Sequence, residues 1–74
     1  MKFTSEYLRG LLHAQPFRPF TILMVDGKKF RVPHEDFLTV TRQGEVLYQA
    51  DRGPLVFINT LTISHVSVSE KQPA

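Results

Sequence analysis

The sequence contains no cysteine. Disulfides, thiolate zinc sites and a cysteine nucleophile are therefore excluded, and a small domain without such staples must hold together by packing or by association. Long apolar runs are missing too. Ile22 to Val25 is far short of the roughly 20 apolar residues that span a bilayer. The opening Met1-Lys2-Phe3-Thr4-Ser5-Glu6 carries no extended apolar core of the kind that directs secretion. A soluble, cytoplasmic protein with no membrane contact is expected. Charge of one sign is also scarce, with nine Lys and Arg against seven Asp and Glu. A nucleic-acid binder usually concentrates its basic residues in a stripe, and the one local concentration here is Lys28, Lys29 and Arg31, with Arg18 upstream.

Catalytic signatures are lacking as well. There is no glycine-rich phosphate loop, no serine in a nucleophile elbow and no carboxylate pair at helical spacing. No enzymatic activity and no cofactor are expected. What is present is a folding composition: 42% hydrophobic and 22% charged residues, rich in Phe, Ile, Val and Leu, outside the disordered range. At 74 residues the chain makes one domain over residues 1–68 with a polar, frayed tail over 69–74. A domain of this size buries only about 60% of its unfolded surface, so its core is small and association is favoured.

Phe3, Tyr7, Leu8, Leu11 and Leu12 fall on one stripe of a helix from about Ser5 to Ala14. Thr4 suits its N-cap, with Phe3 and Leu8 as a hydrophobic staple, and Pro16 closes it by steering Gln15 out of the α region. Gly10 in its middle costs about 1 kcal/mol relative to alanine; either another backbone approaches closely there or nothing does.

From Phe17 the period changes to two. Phe20, Ile22 and Met24 alternate with Thr21, Leu23 and Val25, so both faces of this strand are largely apolar. Asp26-Gly27 predicts a tight type I′ hairpin turn. The returning strand, Lys28 to Val32, points Phe30 and Val32 inward and Lys29 and Arg31 outward. Further strands are expected over Phe37–Thr41, Glu45–Ala50 and Leu55–Ile58, with turns at Arg42-Gln43-Gly44 and Asp51-Arg52-Gly53-Pro54. Asn59-Thr60-Leu61-Thr62 either continues the Leu55–Ile58 strand or, the preferred reading, makes a tight corner before a last strand, Ile63–Val68; Leu61 and Ile63 share one phase while Val66 and Val68 share the other, and a bulge or corner is the economical cause of that slip. Helix and strands together give a mainly β fold with one N-terminal α-helix, a small five-stranded antiparallel SH3-like or Sm-like barrel or a strongly bent sheet.

This order, with the hairpin Phe20-Thr21-Ile22-Leu23-Met24-Val25-Asp26-Gly27-Lys28-Lys29-Phe30 and the closing strand Thr62-Ile63-Ser64-His65-Val66-Ser67-Val68, resembles the Sm-like family, which includes the bacterial Hfq proteins. The resemblance implies a helix capping a five-stranded barrel and rings formed by edge pairing. It does not imply that family's RNA site. Where Hfq proteins carry a Tyr-Lys-His run, this chain reads Asn59, Thr60 and Leu61, and the Asp and Met-Asn pattern of the eukaryotic branch is replaced near His34-Glu35-Asp36-Phe37. The letters Pro16-Phe17-Arg18-Pro19-Phe20, Asp26-Gly27 and Val32-Pro33-His34-Glu35-Asp36-Phe37 are also similar to a group of short bacterial proteins, which implies a self-standing domain and no particular activity.

Three places compete as sites. Arg18, Lys28, Lys29 and Arg31, interleaved with Phe17, Phe20 and Phe30, would suit single-stranded nucleic acid, RNA in particular, if rings and cations shared a face. The simpler reading is that the rings are core and the cations solvate a sheet. His34, Glu35 and Asp36 put an imidazole and two carboxylates on one corner, but spacing alone does not make them converge on a metal, and a solvated corner is the expectation. Leu55, Phe57 and Ile58 belong to a run apolar on both faces, which asks for a second burial, either in a homo-oligomer or against a protein partner. The alternative cover is the N-terminal helix.

Overall fold

Thr4 starts the first element. Its side-chain oxygen accepts a hydrogen bond from the Tyr7 backbone N–H at 3.2 Å, which satisfies one of the donors that a helix start leaves unpaired. In the computed structural model, which describes residues 4–50 and 52–69, this helix is α1 (Ser5–Leu12). Phe3, and with it the expected staple, lies outside the described residues. The helix stops two residues short of Ala14. A continuation would ask the Leu12 carbonyl to accept from residue 16, a proline without an N–H; instead the His13 N–H closes the last turn on the Arg9 carbonyl at 3.1 Å.

Leu8 and Leu12 are the buried anchors of α1, with Leu11 packed beside them. Tyr7, expected on the same stripe, is only partly covered, at 38% exposed. Arg9 pairs with Glu6 one turn back and donates from Nη2 to the Thr41 carbonyl at 2.7 Å, tying the helix to the sheet it covers. A Cβ at Gly10 would meet nothing within 4 Å, so of the two explanations for this glycine the second holds. Gly10→Ala is expected to stabilise the domain by up to about 1 kcal/mol, read as a higher urea midpoint with an unchanged slope.

Six strands follow: β1 (Phe20–Met24), β2 (Lys29–Val32), β3 (Leu38–Val40), β4 (Val46–Gln49), β5 (Leu55–Ile58) and β6 (Ile63–Val68). They form two antiparallel three-stranded sheets, ordered β2-β1-β6 and β3-β4-β5. The expected count of five is thereby corrected. β2 and β3 are parted by Pro33 and a short 3-10 turn, Glu35–Phe37, while a second 3-10 turn, Thr60–Thr62, parts β5 from β6. That second turn is the expected corner: the Asn59 side chain accepts from the Leu61 N–H at 3.0 Å, and the Thr62 hydroxyl donates to the Asn59 carbonyl at 2.8 Å. The phase slip has a further cause in the ladder between β1 and β6, whose register shifts between Leu23 and Met24, leaving Ser64 without an opposite number.

The first hairpin departs from its expected turn. Gly27 N–H donates to the Met24 carbonyl at 3.0 Å, Met24 N–H donates to the Lys28 carbonyl at 2.8 Å, and in this loop only Gly27 has positive φ, at 95°. That is a type I turn followed by a left-handed glycine bulge rather than a two-residue type I′ turn. The Asp26 carboxylate accepts from the Lys28 N–H at 3.0 Å and braces the loop. The β3–β4 turn repeats the device, with Gly44 at φ 89° donating to the Thr41 carbonyl at 3.1 Å. In the third turn the Gly53 N–H donates to the Ala50 carbonyl at 2.8 Å, and the positive φ falls on Arg52.

The core between the sheets consists of Leu8, Leu12, Phe20, Ile22, Val32, Leu38, Val46, Ile58 and Ile63, and no polar side chain among the described residues is buried with them. No strand pairing joins the two sheets among the described residues. A side chain does: the Tyr48 hydroxyl on β4 donates to the Arg31 carbonyl on β2 at 2.9 Å. The Tyr48 ring also packs edge-on against Phe30, with centroids 5.1 Å apart, and against Phe37 at 6.4 Å. An aromatic seam thus spans the opening between β2 and β4. Beyond β6, Ser69 N–H donates to the Pro19 carbonyl at 2.8 Å, so Ser69 is tied in; residues 70–74 of the expected tail lie outside the described residues.

Candidate functional site

The alternation of β2 sorts the basic residues. Phe30 and Val32 face the core, which turns Lys29 and Arg31 outward, both exposed. Lys28 sits in the hairpin loop and Arg18 in the segment before β1, also exposed. Of the four cations, two therefore share a sheet face. The aromatics interleaved with them in sequence are on the other side: Phe20 is buried, Phe17 lies half-buried with its ring 6.1 Å from that of Phe20, and Phe30 packs on Tyr48. Rings and cations do not form one stacking surface.

β5 presents a different chemistry. It pairs with β4 along one edge, Leu47 opposite Phe57 and Gln49 opposite Leu55, and its other edge has no strand partner among the described residues. Phe57 is 69% exposed and Leu55 53%. Ile58, expected on the interface, is only 6% exposed and belongs to the core, because strand alternation sends it inward together with Val56. The helix does not cover this face: α1 packs against β3, and Leu55 and Phe57 remain open. Two further apolar side chains stand out, Leu61 in the second 3-10 turn and Val25 in the first hairpin loop, and the Val25 N–H bonds to the Thr62 carbonyl at 2.9 Å, which brings these two turns together.

The third candidate lies across the 3-10 turn before β3. His34, Glu35 and Asp36 are exposed and line a cleft of about 630 Å³ with Ala14, Gln15 and Phe17. The His34 ring leans on Phe37 at 5.9 Å. Among the described residues no three His, Asp or Glu side chains gather closely enough to hold a metal ion. His13 lines a neighbouring groove with Arg9 and Glu35, while His65 is on β6. The three histidines thus sit on three separate elements.

Residues that sequence reasoning missed lie beside Lys29 and Arg31. Pairing with β1 and β6 brings Thr21, Leu23, His65 and Ser67 to the same outer face. Alternation within each strand signals their outward direction; only the ladder shows that they are neighbours. No helix among the described residues is long and apolar enough to cross a membrane. What the fold and its surfaces define is a small, mainly β domain with one helix and two three-stranded antiparallel sheets. No family model, no curated protein and no solved structure matches the chain.

Proposed function

We propose that this chain is a non-enzymatic binding module that acts through self-association or a protein partner, with the outer face and free edge of β5 as the contact. The observation that carries this reading is Leu55 and Phe57, two large apolar side chains left open on an edge strand. An exposed apolar edge is a template for another chain, and natural sheets usually blunt such edges with charge or proline. β5 itself carries neither; Pro54 precedes it. An Sm-like barrel that assembles by edge pairing is the architecture this reading favours, and the cysteine-free composition fits a cytoplasmic setting.

Light scattering on the protein as it elutes from a sizing column tests the proposal. The expected result is a multimer that Phe57→Lys converts to single chains with an unchanged circular dichroism spectrum. A wild-type mass of one chain at every loading overturns self-association and assigns the face to a protein partner.

A second reading, an RNA-binding Sm-like protein, is favoured by Lys29 and Arg31 sharing one face. It predicts an affinity that falls steeply with salt and retention of RNA that disappears when Lys28, Lys29 and Arg31 are all replaced by alanine. The inward placement of Phe20 and Phe30 ranks it second, since it removes the platforms on which bases stack.

A further inference from the structure

Strand register gathers side chains that are distant in sequence. Thr21 stands opposite Arg31 on β2 and opposite Ser67 on β6, so one row across the sheet reads Ser67, Thr21, Arg31. The adjacent row reads His65, Leu23, Lys29. Directly opposed residues of an antiparallel pair share a face, and this face points away from buried Phe20 and Ile22. A shallow groove of about 390 Å³ runs over it, lined by Thr21, Leu23, Lys29, Arg31 and Ser67. A smaller one of about 220 Å³ shares Thr21, Arg31 and Ser67 with it.

Among the described residues the side chains of Thr21, Lys29, Arg31 and Ser67 take no part in holding the fold together, while the His65 ring lies 3.1 Å from the Ser64 hydroxyl. The ion pair among the described residues joins Arg9 to Glu6, so neither Lys29 nor Arg31 is paired with a carboxylate of the described residues. No carboxylate among the described residues lines either groove. The hydroxyls of Thr21 and Ser67 enter no hydrogen bond among the described residues. The strand beneath Arg31 is nonetheless held firmly: Val32 is in the core, Phe30 packs on Tyr48, and the Tyr48 hydroxyl takes the Arg31 carbonyl. Two cations and two hydroxyls with no side-chain partner among the described residues therefore stand on one braced surface.

We propose that this face binds a phosphate monoester, with Arg31 and Lys29 meeting its charge and the Thr21 and Ser67 hydroxyls donating to its remaining oxygens. A phosphate monoester carries about 1.5 to 2 negative charges at neutral pH and three acceptor oxygens, which two cations and two hydroxyls match. A carboxylate carries one negative charge and so meets only half of the charge that Lys29 and Arg31 present. A nucleic-acid strand would look for a succession of aromatic platforms, and the two rows hold one ring, the His65 imidazole on the edge strand. Leu23, at the centre of the face, covers the carbon to which the phosphate is attached. The shared chemistry is the phosphate, carried by a small metabolite or by a phosphorylated side chain. This surface belongs to the β2-β1-β6 sheet and is independent of the β5 contact.

The test is an amide NMR titration of the full chain with inorganic phosphate, with a phosphoserine peptide and with the same peptide unphosphorylated. Saturable shifts confined to Thr21, Leu23, Lys29, Arg31, His65 and Ser67 are expected for the two phosphorylated probes. Arg31→Gln and Lys29→Gln should each weaken binding about tenfold, as for loss of one charge-assisted hydrogen bond, while Arg42→Gln in the β3–β4 turn leaves it unchanged. Equal affinity for inorganic phosphate and peptide assigns a small ligand; at least tenfold tighter peptide binding assigns a phosphorylated side chain. Shifts that never saturate, that persist in the Lys29→Gln/Arg31→Gln double variant, or that an oligouridine probe produces more strongly than either phosphate probe overturn the proposal. Thr21→Val/Ser67→Ala probes the same face without touching charge, and undiminished binding there overturns it equally.

Discussion

Leu8→Ala is expected to lower the unfolding free energy by about 3 kcal/mol, within the range found when a buried leucine is cut to alanine. Leu8 is completely buried and is one of two anchors that seat α1 on the sheets. The vacated space has little means of closing. The helix is fixed at its start by the Thr4 cap and in its middle by Arg9 on the Thr41 carbonyl, so a cavity remains and its cost adds to the lost apolar transfer. For a domain of this length total stability is roughly 4 to 11 kcal/mol, and the variant will be partly unfolded at the lower end of that span. Urea denaturation followed by circular dichroism reads the change, with Leu11→Ala as the comparison: Leu11 is only partly buried, and its truncation should cost far less. Equal losses for the two would mean that the helix does not sit on Leu8.

The second large effect concerns the two hairpin glycines. Gly27→Ala and Gly44→Ala should each cost about 1 to 2 kcal/mol, because both residues hold a left-handed φ that brings a Cβ against the following carbonyl. The two sites differ in their surroundings. A Cβ on Gly27 would meet nothing within 4 Å, whereas one on Gly44 would lie 3.1 Å from the Ser5 hydroxyl. That hydroxyl sits at the end of a short side chain and can turn aside, so Gly44→Ala is expected to be the costlier of the two by a small margin. Asparagine tolerates the left-handed region better than alanine, and Gly27→Asn should recover part of the loss. If alanine and asparagine behaved alike at Gly27, backbone strain would not be the cause.

The elements legible in advance are those whose causes are local. The helix start follows from Thr4, the strand phases from two-residue alternation, and the corner at 60–62 from the clash between the phases of Leu61 and Val66. The helix ends two residues before the expected Ala14 because the missing proline N–H removes a bond from Leu12, four positions back. The hairpin turn was misjudged in type because Asp26-Gly27 suits two loop lengths, and the choice between them is made by where the Met24 N–H finds its acceptor. Alternation and turn signals place all six strand segments; the count of five belongs to the barrel architecture, which the two three-stranded sheets do not follow.

The surfaces divide in the same way. Outward Lys29 and Arg31 follow from parity, as do Leu55 and Phe57; Ile58 was assigned outward because a continuous apolar run hides its own alternation. Arg18 and Lys28 looked like members of the basic face only because they are close in sequence. Thr21, His65 and Ser67 could not be joined to it without the β1–β6 ladder, a pairing between distant segments that no local pattern reports.

That ladder also bears on how the chain is made. β1 takes its second partner from the far end of the domain, Met24 facing Ile63. A ribosome adding about 5 to 20 residues per second needs roughly 2 to 8 s to cover the interval between them. Throughout that time the nascent hairpin of β1 and β2 carries an open flank on β1. The strand of this fold that is synthesised last is thus the one that seals the first, and that flank of β1 stays unpaired until residue 68 has been added.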